Sequence, residues 1–159
     1  MSDGYPGRVR IADRKDEEEL MDMCRELHRE NGIFPMNEDK VRAMLHKAFD
    51  RQGGIIGVIG ELGKIEGIIY AMISTFWYSD TPHIEELFNF CRPQYRKSNN
   101  AHDLIEFAKW CSDQSGMPLL IGVISNERTA AKVRLYQRRL NQPIGSFFLY
   151  NSEYVGKVA

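Results

Sequence analysis

Apolar and polar positions alternate over residues 8–12, with Val9 and Ile11 on one side, and this period of two predicts a short first strand. The period then lengthens. Asp13 stands as an N-cap with Asp16 three residues on, and Glu17, Glu18 and Glu19 crowd the first turn, where the helix dipole favours acids. Leu20, Met23, Cys24 and Leu27 form one stripe of this helix, and Gly32 after Asn31 stops it. A second helix is expected from the cap Asn37, with Val41, Met44, Leu45 and Ala48 on one face and an end by Gly53-Gly54.

From residue 54 the pattern becomes strand-like. Ile55, Ile56, Val58 and Ile59, a turn at Glu61-Leu62-Gly63-Lys64, and residues 65–77 predict an antiparallel hairpin. Beyond the break at Ser79-Asp80-Thr81-Pro82, residues 84–91 add a third sequential strand, making a meander. Pro93 and a short basic loop lead into an amphipathic helix carrying Ala101, Leu104, Ile105, Ala108 and Cys111, which Gly116 and Pro118 end. The apolar run at residues 119–124 suits a central strand, Ser125-Asn126 opens a helix through Leu140, and Pro143 starts a last strand over residues 144–150. The order β-α-α-β-β-β-α-β-α-β predicts an α/β (α+β) fold, a mixed, mainly antiparallel central sheet flanked by helices.

Composition narrows this little. At 159 residues the chain is expected to form one domain, with residues 1–7 and 152–159 as weakly structured tails. Charged residues at 27 % and a formal net charge of -1 give no electrostatic case for nucleic acid or an acidic membrane. Cys24, Cys91 and Cys111 each fall inside an apolar pattern, as small buried hydrophobes of a reducing compartment do. Without an apolar leader near Met1 or a run long enough to span a bilayer, a cytoplasmic location is expected. His28, His46 and His102 have no spaced partners for a metal, and none is expected.

Chemistry concentrates at the strand-loop-helix junction whose loop and helix run from Pro93 to Cys111. Such a junction aims unpaired backbone N–H groups and a positive helix end at one point, which suits a phosphate or pyrophosphate. The loop reads Pro93-Gln94-Tyr95-Arg96-Lys97-Ser98-Asn99-Asn100-Ala101, and the last helix carries Leu135-Tyr136. With the element order, these residues resemble the GNAT superfamily of acetyl-CoA-dependent N-acetyltransferases over nearly the whole chain. The family's loop has Arg or Gln, two residues, Gly, one residue, then Gly or Ala. Arg96 and Ala101 match, and Asn99 stands where the first glycine is expected. The family's Gly-Phe after the last helix is replaced by Leu140-Asn141-Gln142-Pro143.

The resemblance implies that acetyl-CoA is the co-substrate, held through Phe90, Cys91, Arg96, Lys97, Ser98, Asn99, Asn100, Ala101 and Asn126. It also implies that Tyr136 protonates the departing thiolate, which a phenol with a pKa near 10 can do at neutral pH. A proton acceptor is needed too. Glu85 and Glu86 are adjacent on the fourth strand and so point to opposite faces; parity with Leu87, Asn89 and Cys91 favours Glu85 if the strand carries no bulge. His83 is a further candidate base, and Cys91 is considered as a nucleophile, although no Cys-His-Asp pattern accompanies it.

The expected acceptor is a small-molecule or peptide amine, bordered by the first two helices and by Phe76-Trp77-Tyr78, whose rings suit a cation. A transferase acting by direct attack in a ternary complex is the favoured reading. A non-catalytic acyl-CoA-binding or protein-interaction module is its rival, and an aminoacyl or longer-chain acyltransferase is a third. Few residues follow Leu140, so the acceptor side is left open, or completed by residues 154–158, or completed by a second subunit in a homodimer.

Overall fold

The first helix begins as its acids predict. Lys15 N–H donates to the Asp13 carboxylate at 2.8 Å, and Asp13 N–H donates to Asp16 Oδ2 at 3.1 Å. This capping box closes a short 3-10 turn, Arg14–Asp16, which runs into α1 (Glu17–Asn31). Asp16 is buried, and Arg10 meets it with two hydrogen bonds of 2.9 and 2.8 Å. The second helix, α2 (Glu38–Phe49), is capped by Asn37, whose side chain accepts from Lys40 N–H at 3.0 Å.

The structure, a computed structural model, describes residues 4–125 and 128–152. Its strands are β1 (Arg10–Ile11), β2 (Gly54–Ile59), β3 (Gly67–Ser74), β4 (His83–Cys91) and β5 (Leu119–Leu120). They lie in that order in one sheet, antiparallel through β4, with β5 parallel to β4. Two more helices complete it, α3 (Asn100–Ser115) and α4 (Thr129–Arg139). Gly116 ends α3 at φ 70, a left-handed cap that glycine adopts without strain. No helix among the described residues is long and apolar enough to cross a membrane.

Alternation in β2 and β3 gives the sheet two apolar faces. On one, Leu20, Met21 and Met23 of α1 and Leu45 of α2 pack against Ile56, Val58, Ile68 and Phe90. On the other, Leu104, Phe107 and Ala108 of α3 pack against Ile59, Ile69 and Ile84. Gly57 allows that second layer to sit close, since a Cβ there would lie 2.7 Å from both Phe107 and Val9. Tyr5 docks on the same layer, edge-on to Phe107 and Trp110. The three cysteines are free and buried.

The expected strand over residues 144–150 does not form. Those residues carry no ladder pairing, and Ile144, Phe147, Phe148 and Tyr150 are 86 %, 85 %, 94 % and 89 % exposed. A strand needs an edge to pair with, and no edge of this chain's sheet lies against the segment. β5 is also shorter than its apolar run, pairing with β4 only through Ile84↔Leu119 and Glu85↔Leu120. Residues 154–158, one proposed completion of the acceptor side, lie outside the described residues, as does Asn126.

Candidate active site

β3 and β4 pair in register at both ends, but the register shifts in the middle. Tyr70 faces Phe88 and Ala71 faces Glu86, so Leu87 is an extra residue on β4 with no partner. This is a β-bulge, and it reverses the parity argument made from the sequence. Glu86 keeps company with Ile84 before the bulge and with Asn89 and Cys91 after it. Glu85 instead shares a side with His83, whose Nε2 is 3.5 Å from Glu85 Oε2 and whose ring stacks on Phe76 at 4.9 Å.

The outcome is a buried polar cluster. Asn89 Nδ2 donates to Glu86 Oε1 at 3.3 Å and to the Tyr136 hydroxyl oxygen at 2.5 Å. Because the phenol oxygen accepts from Asn89, its own proton remains free to be donated elsewhere. β4 and β5 pair only as far as Glu85, and Gly122 lies just past β5, its backbone N–H among the groups that favour the charged form of the Glu86 carboxylate. The cluster therefore sits where the two strands part, between β4 and α4.

Burial sets its electrostatics. It pushes the Glu86 carboxyl up to about 7, against the pull of Gly122 N–H, Lys132 and Asn89. It also raises the Tyr136 phenol, with the neighbouring Glu86 charge adding to the effect. Lys132 is lowered, first by burial, while Glu30 and Glu86 pull the other way. Cys91 is raised to about 11 by burial, so it is a thiol at neutral pH and a poor nucleophile.

The loop after β4 is a 3-10 turn, Pro93–Tyr95, followed by the start of α3. Arg96 does not project freely from it. Its guanidinium donates to Glu30 and to the Cys91 carbonyl and lies 5.4 Å from the Phe90 ring centroid. Ser98 Oγ takes the N–H of Asn100 at 3.2 Å, while the N–H groups of Lys97, Asn99, Ala101 and His102 have no acceptor among the described residues. These fit an anionic phosphate. Asn99 has φ -83 and ψ 10, so its backbone does not use the left-handed region that would call for glycine. Asn100 is buried and holds the loop from beneath, donating to Glu66 at 2.8 Å and accepting from Arg8 at 2.9 Å.

Of the sequence candidates, Glu86, Tyr136 and Cys91 come together, and Arg96 to Ala101 form the adjoining loop. Glu85 and His83 face away. Asn89 and Lys132 were not singled out from the sequence; nothing local marks Asn89 as bridging a residue three positions back to one 47 positions on. Phe76, Trp77 and Tyr78 are exposed beyond β3, Trp77 at 93 %. A separate cavity of about 490 Å3, lined by Arg51, Ile73, Ile84, Cys111 and Met117, touches none of Glu86, Asn89 or Tyr136 and is not this site. No metal-holding group of His, Cys, Asp or Glu occurs among the described residues.

Several solved structures with the same architecture are acetyltransferases. A predicted acetyltransferase from Clostridium acetobutylicum, solved with acetyl-CoA, superposes with a TM-score of 0.71 at 14 % identity, covering 92 % of this chain and 96 % of that one. The chain has the fold of the GNAT superfamily. The aminoglycoside acetyltransferase AAC(6')-Iy, bound to the bisubstrate analogue CoA-S-monomethyl-acetylneamine, gives 0.69 at 16 % identity over 90 % of this chain and 95 % of that one. A Trypanosoma brucei acetyltransferase gives 0.66 at 16 % identity, over 90 % and 97 %. No family model matches the sequence, and no curated protein does. At such identities the likeness lies in the GNAT fold.

Proposed function

We propose that the protein moves an acetyl group from acetyl-CoA to a primary amine. The observation that carries this reading is the Glu86-Asn89-Tyr136 cluster at the parting of β4 and β5, beside a loop whose N–H groups have no acceptor among the described residues, on a fold shared by solved structures that hold acetyl-CoA or a CoA analogue. Acetyl-CoA supplies the activated carbonyl. The backbone N–H groups of Lys97, Asn99, Ala101 and His102 hold its phosphates, with Lys97 as a nearby cation. Arg96 shapes the loop through Glu30 and the Cys91 carbonyl.

The amine attacks the thioester carbonyl, a C–N bond forms and the C–S bond breaks. Glu86 accepts a proton from the amine, and a carboxyl held near pH 7 is well matched to that task. Tyr136 gives its proton to the departing thiolate. The unpaired backbone at Leu87 offers a donor to the carbonyl oxygen as it gains charge. Phe76, Trp77 and Tyr78 supply ring faces for a cationic acceptor before it loses its proton.

Acetyl-CoA at a hundredfold excess over its Kd is expected to stabilise the fold by about 2.7 kcal/mol. With a panel of polyamine, aminoglycoside, amino-acid and peptide amines, release of CoA thiol is expected for the wild type and a large loss for Tyr136→Phe. Stabilisation without turnover on any acceptor would favour the non-catalytic acyl-CoA-binding reading. Full turnover by Tyr136→Phe would remove the tyrosine from the mechanism.

A further inference from the structure

We propose that the cavity at the C-terminal end of α3 is a second ligand site, suited to an apolar molecule that ends in one carboxylate. Its volume of about 490 Å3 lies within the ~300–1,000 Å3 of small-molecule sites. Ala71 and Ile84 of the sheet and Cys111 of α3, all buried, give it apolar walls, with Met117 beside them. Burial raises Cys111 to about 11, so it stays a neutral thiol. Arg51 and Ile73, both exposed, stand at the mouth. Among the described residues that line the cavity, Arg51 alone carries a charge. Such a lining accepts an apolar body with one anionic end.

Arg51 is held against the preference of its own backbone. At the end of α2 its N–H donates to the Ala48 carbonyl at 3.1 Å, and Gln52 N–H donates to the Lys47 carbonyl at 2.9 Å. Arg51 has φ 57 there, a left-handed conformation that glycine adopts freely and a side chain disfavours. Its guanidinium also lacks an acid. Asp50, the adjacent carboxylate, takes two hydrogen bonds from Arg14, and Arg51 forms no ion pair among the described residues. A disfavoured backbone that sets an unpaired cation beside an apolar cavity points to a ligand.

The lining also decides against other occupants. An amine cation, the acceptor in the proposed reaction, finds no carboxylate among these residues, and burying it unpaired is unfavourable. A doubly charged phosphate ester finds one arginine and no lysine. A single carboxylate matches the single guanidinium, which can hold it with two parallel hydrogen bonds. The cavity reaches the acetyl-transfer site only through the sheet. Ile84 pairs with Leu119 where β4 meets β5, two residues before Glu86. A bound chain therefore packs against the strand pair whose parting opens the Glu86-Asn89-Tyr136 cluster.

The inference stands apart from the catalytic reading, since its tests measure binding to the full chain without acetyl-CoA. Sodium octanoate is titrated by calorimetry, with n-octylammonium as the same chain bearing the opposite charge. Saturable octanoate binding is expected, at least about tenfold tighter than that of octylammonium, as one charge-assisted contact provides. Amide chemical shifts are expected to move at Gly53, Gly54 and Ile73. Arg51→Gly relieves the left-handed backbone and removes the cation. Its urea midpoint should equal or exceed that of the wild type, while octanoate affinity falls at least about tenfold. Ile73→Glu, at a position 44 % exposed, sets a carboxylate at the mouth and should weaken octanoate binding independently. Absence of saturable octanoate binding, equal affinity for octylammonium, unchanged affinity in either variant, or shifts confined to residues 144–150 would each overturn the site.

Discussion

Glu86 holds its proton more tightly in the folded protein than in the unfolded chain, because burial outweighs the hydrogen bonds that favour its charge. A raised carboxyl pKa means that folding is most favoured below the unfolded value. Stability is lost as pH rises from the ordinary 4.5 to about 7, by roughly 3 kcal/mol for a shift of this size. Glu86→Gln keeps an acceptor for Asn89 and removes the ionisation. The variant is therefore expected to gain on the wild type by roughly 3 kcal/mol between pH 4 and pH 8, read from urea midpoints. In the catalytic reading it also loses ~10²–10⁴-fold in rate, along with the rising limb near pH 7; a wild-type rate flat from pH 6 to 8 would count against Glu86 as the base. Asn99 makes the opposite kind of prediction. Its backbone is right-handed and its side chain caps nothing, so Asn99→Gly is expected to change stability by only a few tenths of a kcal/mol. Acetyl-CoA affinity by calorimetry should stay within about threefold, whereas a gain of tenfold, about 1.4 kcal/mol, would show that the side chain obstructs the phosphate site.

At the scale of elements, the bulge at Leu87 decides which glutamate meets Tyr136. Deleting Leu87 leaves the pairs Tyr70–Phe88 and Ala71–Glu86 intact and every other β4 residue on its own face. The deletion should therefore fold, with unchanged far-ultraviolet circular dichroism. It removes the unpaired backbone at Leu87 and straightens the strand between Glu86 and Asn89, so turnover is expected to fall at least tenfold; undiminished turnover would separate the bulge from the chemistry. The bulge also marks where sequence reading stops. The helices and the meander follow from periods and caps, as with Asp13-Asp16, Asn37 and Gly116, because those signals are local. A bulge is the choice of one register over another between strands, and the residues 84–91 read equally well with or without it. Tyr136 and the Glu85-Glu86 pair are visible in the sequence, but choosing between the glutamates needs the bulge. Asn89 and Lys132 acquire their roles only from contacts with distant elements. Residues 144–150 show the converse, a strand pattern that pairs with no strand among the described residues.

At the scale of the molecule, the two apolar faces of the sheet explain why it folds, but the position of the site depends on a polar tie between layers. Arg92, just before the loop, donates to Glu19 at 3.1 Å, to Glu26 at 3.3 Å and to the Ile65 carbonyl at 2.8 Å. Glu19 in turn accepts from the N–H groups of Gly63 and Ile65. One guanidinium thus joins α1, the β2-β3 turn and the end of β4, with only 16 % of its side chain exposed. Arg96 repeats the tie a turn later through Glu30. Removing one partner of a largely buried ion network leaves the remaining carboxylates uncompensated, and Arg92→Leu is expected to cost roughly 3–5 kcal/mol. The exposed pair Arg14–Asp50 is the control, and Arg14→Leu should cost no more than about 1 kcal/mol. Both are read from chemical denaturation. Well below the unfolding midpoint, Arg92→Leu should also weaken acetyl-CoA binding while Arg14→Leu leaves it unchanged, since Arg92, unlike Arg14, holds the loop against α1. Equal costs for the two variants would mean that apolar packing alone sets where the loop lies.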